Sequence, residues 1–91
     1  AIAALTILNV ESQNITDLTG ISHFTNLIDL SVKNNNLSQI DISKNTQLEI
    51  INLENNELSN IDFSKNFSLK NVKNVKNVYI VIVNQSKKSI K

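Results

Sequence analysis

One histidine, eight carboxylates, nine lysines and no cysteine make up the reactive side chains of this 91-residue chain. His23 has no Cys and no second His to join it, so it lacks both a co-ligand for a transition metal and a thiol to activate. It reads as an exposed loop residue. Asp41-Ile42-Ser43-Lys44-Asn45 and Asp62-Phe63-Ser64-Lys65-Asn66 match position by position. Two carboxylates on neighbouring turns could share a hard cation, but Asp41 and Asp62 each suit a plainer role, closing a turn by bonding to their own backbone. Four Asn-x-Ser/Thr triplets begin at Asn14, Asn36, Asn66 and Asn84. Each would be a glycan acceptor in a secreted eukaryotic chain, yet such triplets arise freely in a sequence this rich in Asn and Ser. Lys87, Lys88 and Lys91 form a basic tail that reads as a solvated terminus. No nucleophile stands with a base, so the expectation is a non-enzyme with no catalytic residue, no metal and no cofactor.

The bulk properties exclude more than they assign. A net charge of +1 is far from the strongly basic face that marks nucleic-acid or anionic-membrane binding. No run reaches the roughly 18 apolar residues of a membrane span, and the N-terminus lacks the basic lead and long apolar stretch of a signal peptide. Neither nucleic acid nor membrane insertion is therefore expected. Without Cys there is no disulfide framework. Every basic residue is Lys, and Asn and Ile are the commonest residues, a mixture that looks like AT-rich coding and suggests a bacterial source. The apolar start Ala1-Ile2-Ala3-Ala4, with no initiator Met, fits a trimmed chain or a module of a longer one.

The elements that would position these side chains are written in a repeat. Leu27-x-x-Leu30-x-Val32-x-x-Asn35-x-Leu37-x-x-Ile40 returns 21 residues later as Leu48-x-x-Ile51-x-Leu53-x-x-Asn56-x-Leu58-x-x-Ile61. One step upstream the phase holds through Leu5, Leu8, Val10, Ile15 and Leu18, with Gln13 in place of Asn; downstream it decays after Leu69 and Val72. A fixed period of this length means one supersecondary unit stacked on copies of itself. The alternation at Leu8/Val10, Leu30/Val32 and Ile51/Leu53 predicts short strands with those residues inward. Successive strands then lie parallel, joined by right-handed crossovers. Asn35 and Asn56 fall where the chain bends inward, and their amides can serve backbone groups buried there. With no Pro and only Gly20, turns must be made by Asn, Asp and Ser. No window suits a long helix, so turns and short 3₁₀ pieces are expected opposite the strands.

These residues resemble the consensus L-x-x-L-x-L-x-x-N-x-L of the leucine-rich repeat family across about residues 5 to 72. The resemblance implies a β-rich α/β fold, a right-handed horseshoe-type solenoid with one parallel sheet and 3₁₀ or turn segments on its convex side. It would be a single domain over residues 1–91, with repeats at about 5–26, 27–47 and 48–68 and a degenerate closing segment at 69–91. Asn35 and Asn56 would be rungs of the family's asparagine ladder. Leu18-Thr19-Gly20-Ile21-Ser22-His23-Phe24-Thr25-Asn26 resembles the opening coil of internalin-like bacterial arrays, with a short helical segment after the Gly, and residues 1–4 look like the tail of a preceding helix. A secreted or cell-surface protein follows from that likeness.

Partners of the family usually bind the concave strand face. In register, its columns read Ile7, Asp29, Ile50, then Asn9, Ser31, Asn52, then Glu11, Lys33, Glu54. Lys33 lies between two glutamates, while Ile7 and Ile50 expose apolar surface beside Asp29. The expectation is an interaction or adhesion module binding a protein through these nine residues; the alternative is a spacer or cap within a larger protein. The face has no aromatic residue or Arg, the types that dominate interface hot spots. Beyond Leu69, Lys70 to Val78 reads as an irregular or 3₁₀ connector. Tyr79 to Val83, apolar and β-branched, is then expected as a final parallel strand covering the last coil, open to association at its edge.

Overall fold

A computed structural model describes residues 4–73 and, for the backbone alone, 79–81. Six three-residue strands carry it: β1 (Ile7–Asn9), β2 (Asp29–Ser31), β3 (Ile50–Asn52), β4 (Asn60–Asp62), β5 (Asn71–Lys73) and β6 (Tyr79–Val81). Thr19–His23 forms a 3₁₀ segment, and Ala4 is also in 3₁₀ conformation; residues 1–3 of the expected helix tail lie outside the described set. β1, β2, β3 and β5 form a parallel sheet in that order, and β4 and β6 form a second, two-stranded parallel sheet. The radius of gyration of 12.6 Å is close to the roughly 12 Å of a compact chain of this length.

The register follows from the period. Ile7 faces Asp29, Asp29 faces Ile50, and Ile50 faces Asn71. Because successive strand side chains point to opposite faces, a one-residue slip would turn Leu30 and Ile51 out to water. They are instead fully buried with Leu27, Val32, Leu37, Ile42, Leu48, Leu53, Leu58, Ile61 and Phe63 in a single core. Backbone bonds extend the pairing past the strands: Val10 N–H to Ser31 O, Val32 N–H to Asn52 O and Asn34 N–H to Glu54 O.

The bends after β1, β2 and β3 are turned by left-handed residues, Ser12 (φ 57°), Asn34 (φ 62°) and Asn55 (φ 58°). Asn is the natural choice there, since its short polar side chain tolerates that region. The next residue is the expected bridging amide. Asn35 accepts from the N–H groups of Gln13 and Ile15 and donates to the carbonyls of Val10 and Val32. Asn56 accepts from Leu37 N–H and donates to Val32 and Leu53. Gln13, by contrast, is exposed and turns to Glu11 O.

A second set of amides, in the segments that Asp41 and Asp62 open, belongs to the core and not to the turns. Asn45 and Asn66 are fully buried. Asn45 donates to Ile21 O and Phe24 O, and Asn66 to Ile42 O and Asn45 O. In the first unit Phe24 holds this place, its N–H bonded to Ile21 O as Asn45 N–H is to Ile42 O. Burial also removes Asn66 as a glycan acceptor in the folded chain, whereas Asn14 and Asn36 are exposed.

Three expectations are corrected. Asn71–Lys73, within the supposed connector, is β5 of the main sheet; residues 74–78 lie outside the described set. Tyr79–Val81 is a parallel strand, but its partner is β4, with Ile61 facing Ile80; Ile82 and Val83 lie outside the described residues. The side opposite the main sheet therefore carries a second small sheet and not only turns, and the described residues form two parallel sheets. The first unit is also less covered than its periodic residues imply. Leu5 is 38% exposed and Leu8, Val10, Ile15 and Leu18 are only half-buried, because β1 has a neighbour on one side alone.

Candidate functional site: the outward face of the main sheet

Strands only three residues long alternate buried and open positions, so every unit presents the same outward places. The first column runs Ile7, Asp29, Ile50 and the second Asn9, Ser31, Asn52, as paired in the sheet. Glu11, Lys33 and Glu54 follow two residues further along. All nine residues anticipated for the site thus lie on one face. β5 adds Asn71 and Lys73 to the first two columns, which sequence reasoning missed. The signal was present: Leu69 and Val72 hold the phase of Leu48 and Ile51, but the Lys-Asn-Val run masked it.

The polar part of this face is largely bonded within itself. The Ser31 hydroxyl donates to a Glu11 carboxylate oxygen, and Lys33 Nζ lies 3.8 Å from Glu54 Oε1. Asn9 and Asn52 each accept the backbone N–H two residues on, from Glu11 and Glu54. Beside them Lys70 Nζ lies 3.5 Å from Glu49 Oε1. The apolar part is open, with Ile7 64% and Ile50 38% exposed on either side of Asp29.

Away from this face, a concavity of about 520 Å³ is lined by Asp17, Leu18, Thr19, Ser22, Gln39, Ile40, Asp41 and Lys44. Its carboxylates serve the backbone. Asp17 Oδ1 accepts from the N–H and hydroxyl of Thr19, and Asp41 Oδ1 from those of Ser43. These bonds, the hydroxyl first and the N–H second, hold Asp17 and Asp41 below the usual carboxylate range, and Ser64 does the same for Asp62. Groups so held are ionised at neutral pH and unsuited to act as general acids. His23 is exposed at the end of the 3₁₀ segment.

Among the described residues no three His, Cys, Asp or Glu side chains gather to hold a metal ion. No helix among them is long and apolar enough to cross a membrane. No family model, no curated protein and no solved structure matches the chain.

Proposed function

We propose that this chain is a leucine-rich-repeat-type solenoid serving as a non-enzymatic protein-interaction or adhesion module of a secreted or surface protein of bacterial origin, and that it binds through the outward face of the main sheet. The observation that carries the fold reading is the way each asparagine reaches back one unit, Asn35 to Val10 and Asn56 to Val32, at the 21- to 22-residue spacing of the repeat. Such backbone service between units is what a stacked array needs. The binding reading rests on Ile7 and Ile50, large apolar side chains left open on a face whose other side chains are largely bonded to one another.

The same satisfaction favours a second reading. Lys33 and Glu54, and Ser31 and Glu11, bond to each other, as on a surface that meets only water, which suits a spacer within a longer protein. A photo-crosslinking residue at Asn52, compared with one at Thr46 on the turn side, separates the two. Crosslinks from position 52 that disappear in Ile50→Glu support binding through the sheet face. Crosslinks from neither position, or from 46 alone, favour the spacer.

A further inference from the structure

We propose that Asp29 is the anchor for one cationic side chain of a protein partner, an arginine or lysine flanked by aliphatic residues. The proposal rests on reading the outward sheet face as a binding surface. It names the chemistry that surface would select.

Most carboxylates on and beside the face already have a partner. Glu54 is matched by Lys33 and Glu49 by Lys70, while Glu11 takes the Ser31 hydroxyl. Asp29 has no ion pair among the described residues, although it is half-buried. Its strand neighbours on both sides are Ile7 and Ile50, so the half-buried carboxylate lies in a column between two apolar residues. Attraction for a cation is stronger in such a place than on an open polar surface.

The dimensions suit a single long basic side chain. Adjacent strands are about 4.8 Å apart, so Ile7, Asp29 and Ile50 span roughly 10 Å. Lys and Arg carry an apolar stem that lies along aliphatic surface while the charged head reaches a polar partner. Ile7 and Ile50 receive the stem and the partner's aliphatic neighbours; Asp29 receives the head. Arg fits better than Lys because its planar fork can meet both carboxylate oxygens. An acidic segment is repelled here, and so is a phosphate backbone.

The test uses the full chain, isotopically labelled, and three blocked peptides, Leu-Arg-Leu, Leu-citrulline-Leu and Leu-Glu-Leu, followed by amide chemical shifts. The Arg peptide should move the amides of Ile7, Asp29 and Ile50, with an affinity that falls about fivefold for citrulline, for Asp29→Asn and in about 0.5 M salt. The Glu peptide should leave them in place. Equal shifts from all three peptides, no shifts from any, or wild-type affinity in Asp29→Asn would each overturn the proposal. Binding lost in Ile50→Glu but unchanged in Asp29→Asn removes only the cation and leaves the face as an aliphatic binding surface. Shifts at these amides that grow with protein concentration alone make a second copy of the chain the occupant and also overturn it.

Discussion

Replacing Asn35 by Ala should cost more stability than the same change at Asn56, and the difference can be worked from their bonds. Asn35 is 5% exposed. Its Oδ1 accepts from Gln13 N–H at 3.0 Å and Ile15 N–H at 2.9 Å, and its Nδ2 donates to Val10 O at 3.0 Å and Val32 O at 2.9 Å. Truncation takes their partner from the Gln13 and Ile15 N–H groups and from Val10 O, and a long bond from Lys33 O, while Val32 O keeps the amide of Asn56. Each buried polar group so orphaned costs about 1–3 kcal/mol, and water can reach part of this set because Gln13 is exposed and Ile15 half-buried. We expect a loss of about 2–4 kcal/mol for Asn35→Ala. Asn56 is half-buried and satisfies one N–H, that of Leu37, so Asn56→Ala should lose only about 1–3 kcal/mol. Either is a large share of the 5–15 kcal/mol that holds a typical domain folded. Urea unfolding followed by far-ultraviolet circular dichroism measures both, provided the slope is unchanged. A midpoint for Asn35→Ala equal to that of the parent, or an Asn56 variant weaker than the Asn35 variant, would refute this account of the bridging amides.

Acid should destabilise the fold through Asp17, Asp41 and Asp62. Their folded pKa values are depressed by Thr19, Ser43 and Ser64, so their contribution is present above the unfolded value of about 3.9 and is lost as pH falls through the lower folded values. The triple Asp→Asn variant keeps the turn acceptors but removes the titration; an unchanged acid-unfolding profile in it would contradict the assignment. Ser12→Asn should raise the unfolding free energy by about 0.5 kcal/mol, and the midpoint with it, because Ser12 sits in the left-handed region where its counterparts are Asn34 and Asn55. A lower midpoint would show that the bend at Ser12 is not equivalent to theirs. Ending the chain at Lys73 should be milder than ending it at Lys70, since only the latter removes β5 and the Lys73 carbonyl that accepts Leu53 N–H. Equal melting temperatures would place β5 outside the cooperative unit.

What the sequence determined by itself was the main sheet and its faces. Alternation has period two and the repeat a fixed length, so once Leu30 and Ile51 are inward, the pairing of Ile7 with Asp29 and of Asp29 with Ile50 follows, and with it the whole candidate face. Asn35 and Asn56 were legible for a similar reason: a polar residue at a fixed offset from an inward strand must meet backbone groups at the bend. Asn71 and Lys73 were obscured by a local apolar-every-third pattern that competed with the longer period.

Only the tertiary structure decided the rest, because it depends on what lies beside each unit and not on the unit's own residues. Asn45 and Asn66 look like ordinary turn residues until the unit in front brings the carbonyls of Ile21, Phe24 and Ile42 against them. Tyr79–Val81 has strand propensity whichever sheet it joins, and propensity cannot choose β4 over β5. Leu5 carries the same periodic position as the buried Leu27 and Leu48 yet stays open, since β1 lies at the edge of the sheet. Which charge on the outward face would be left without a partner was equally beyond the sequence. Lys33 could have answered Glu11 or Glu54, and only the settled side chains join it to Glu54 and leave Asp29 without an ion pair among the described residues.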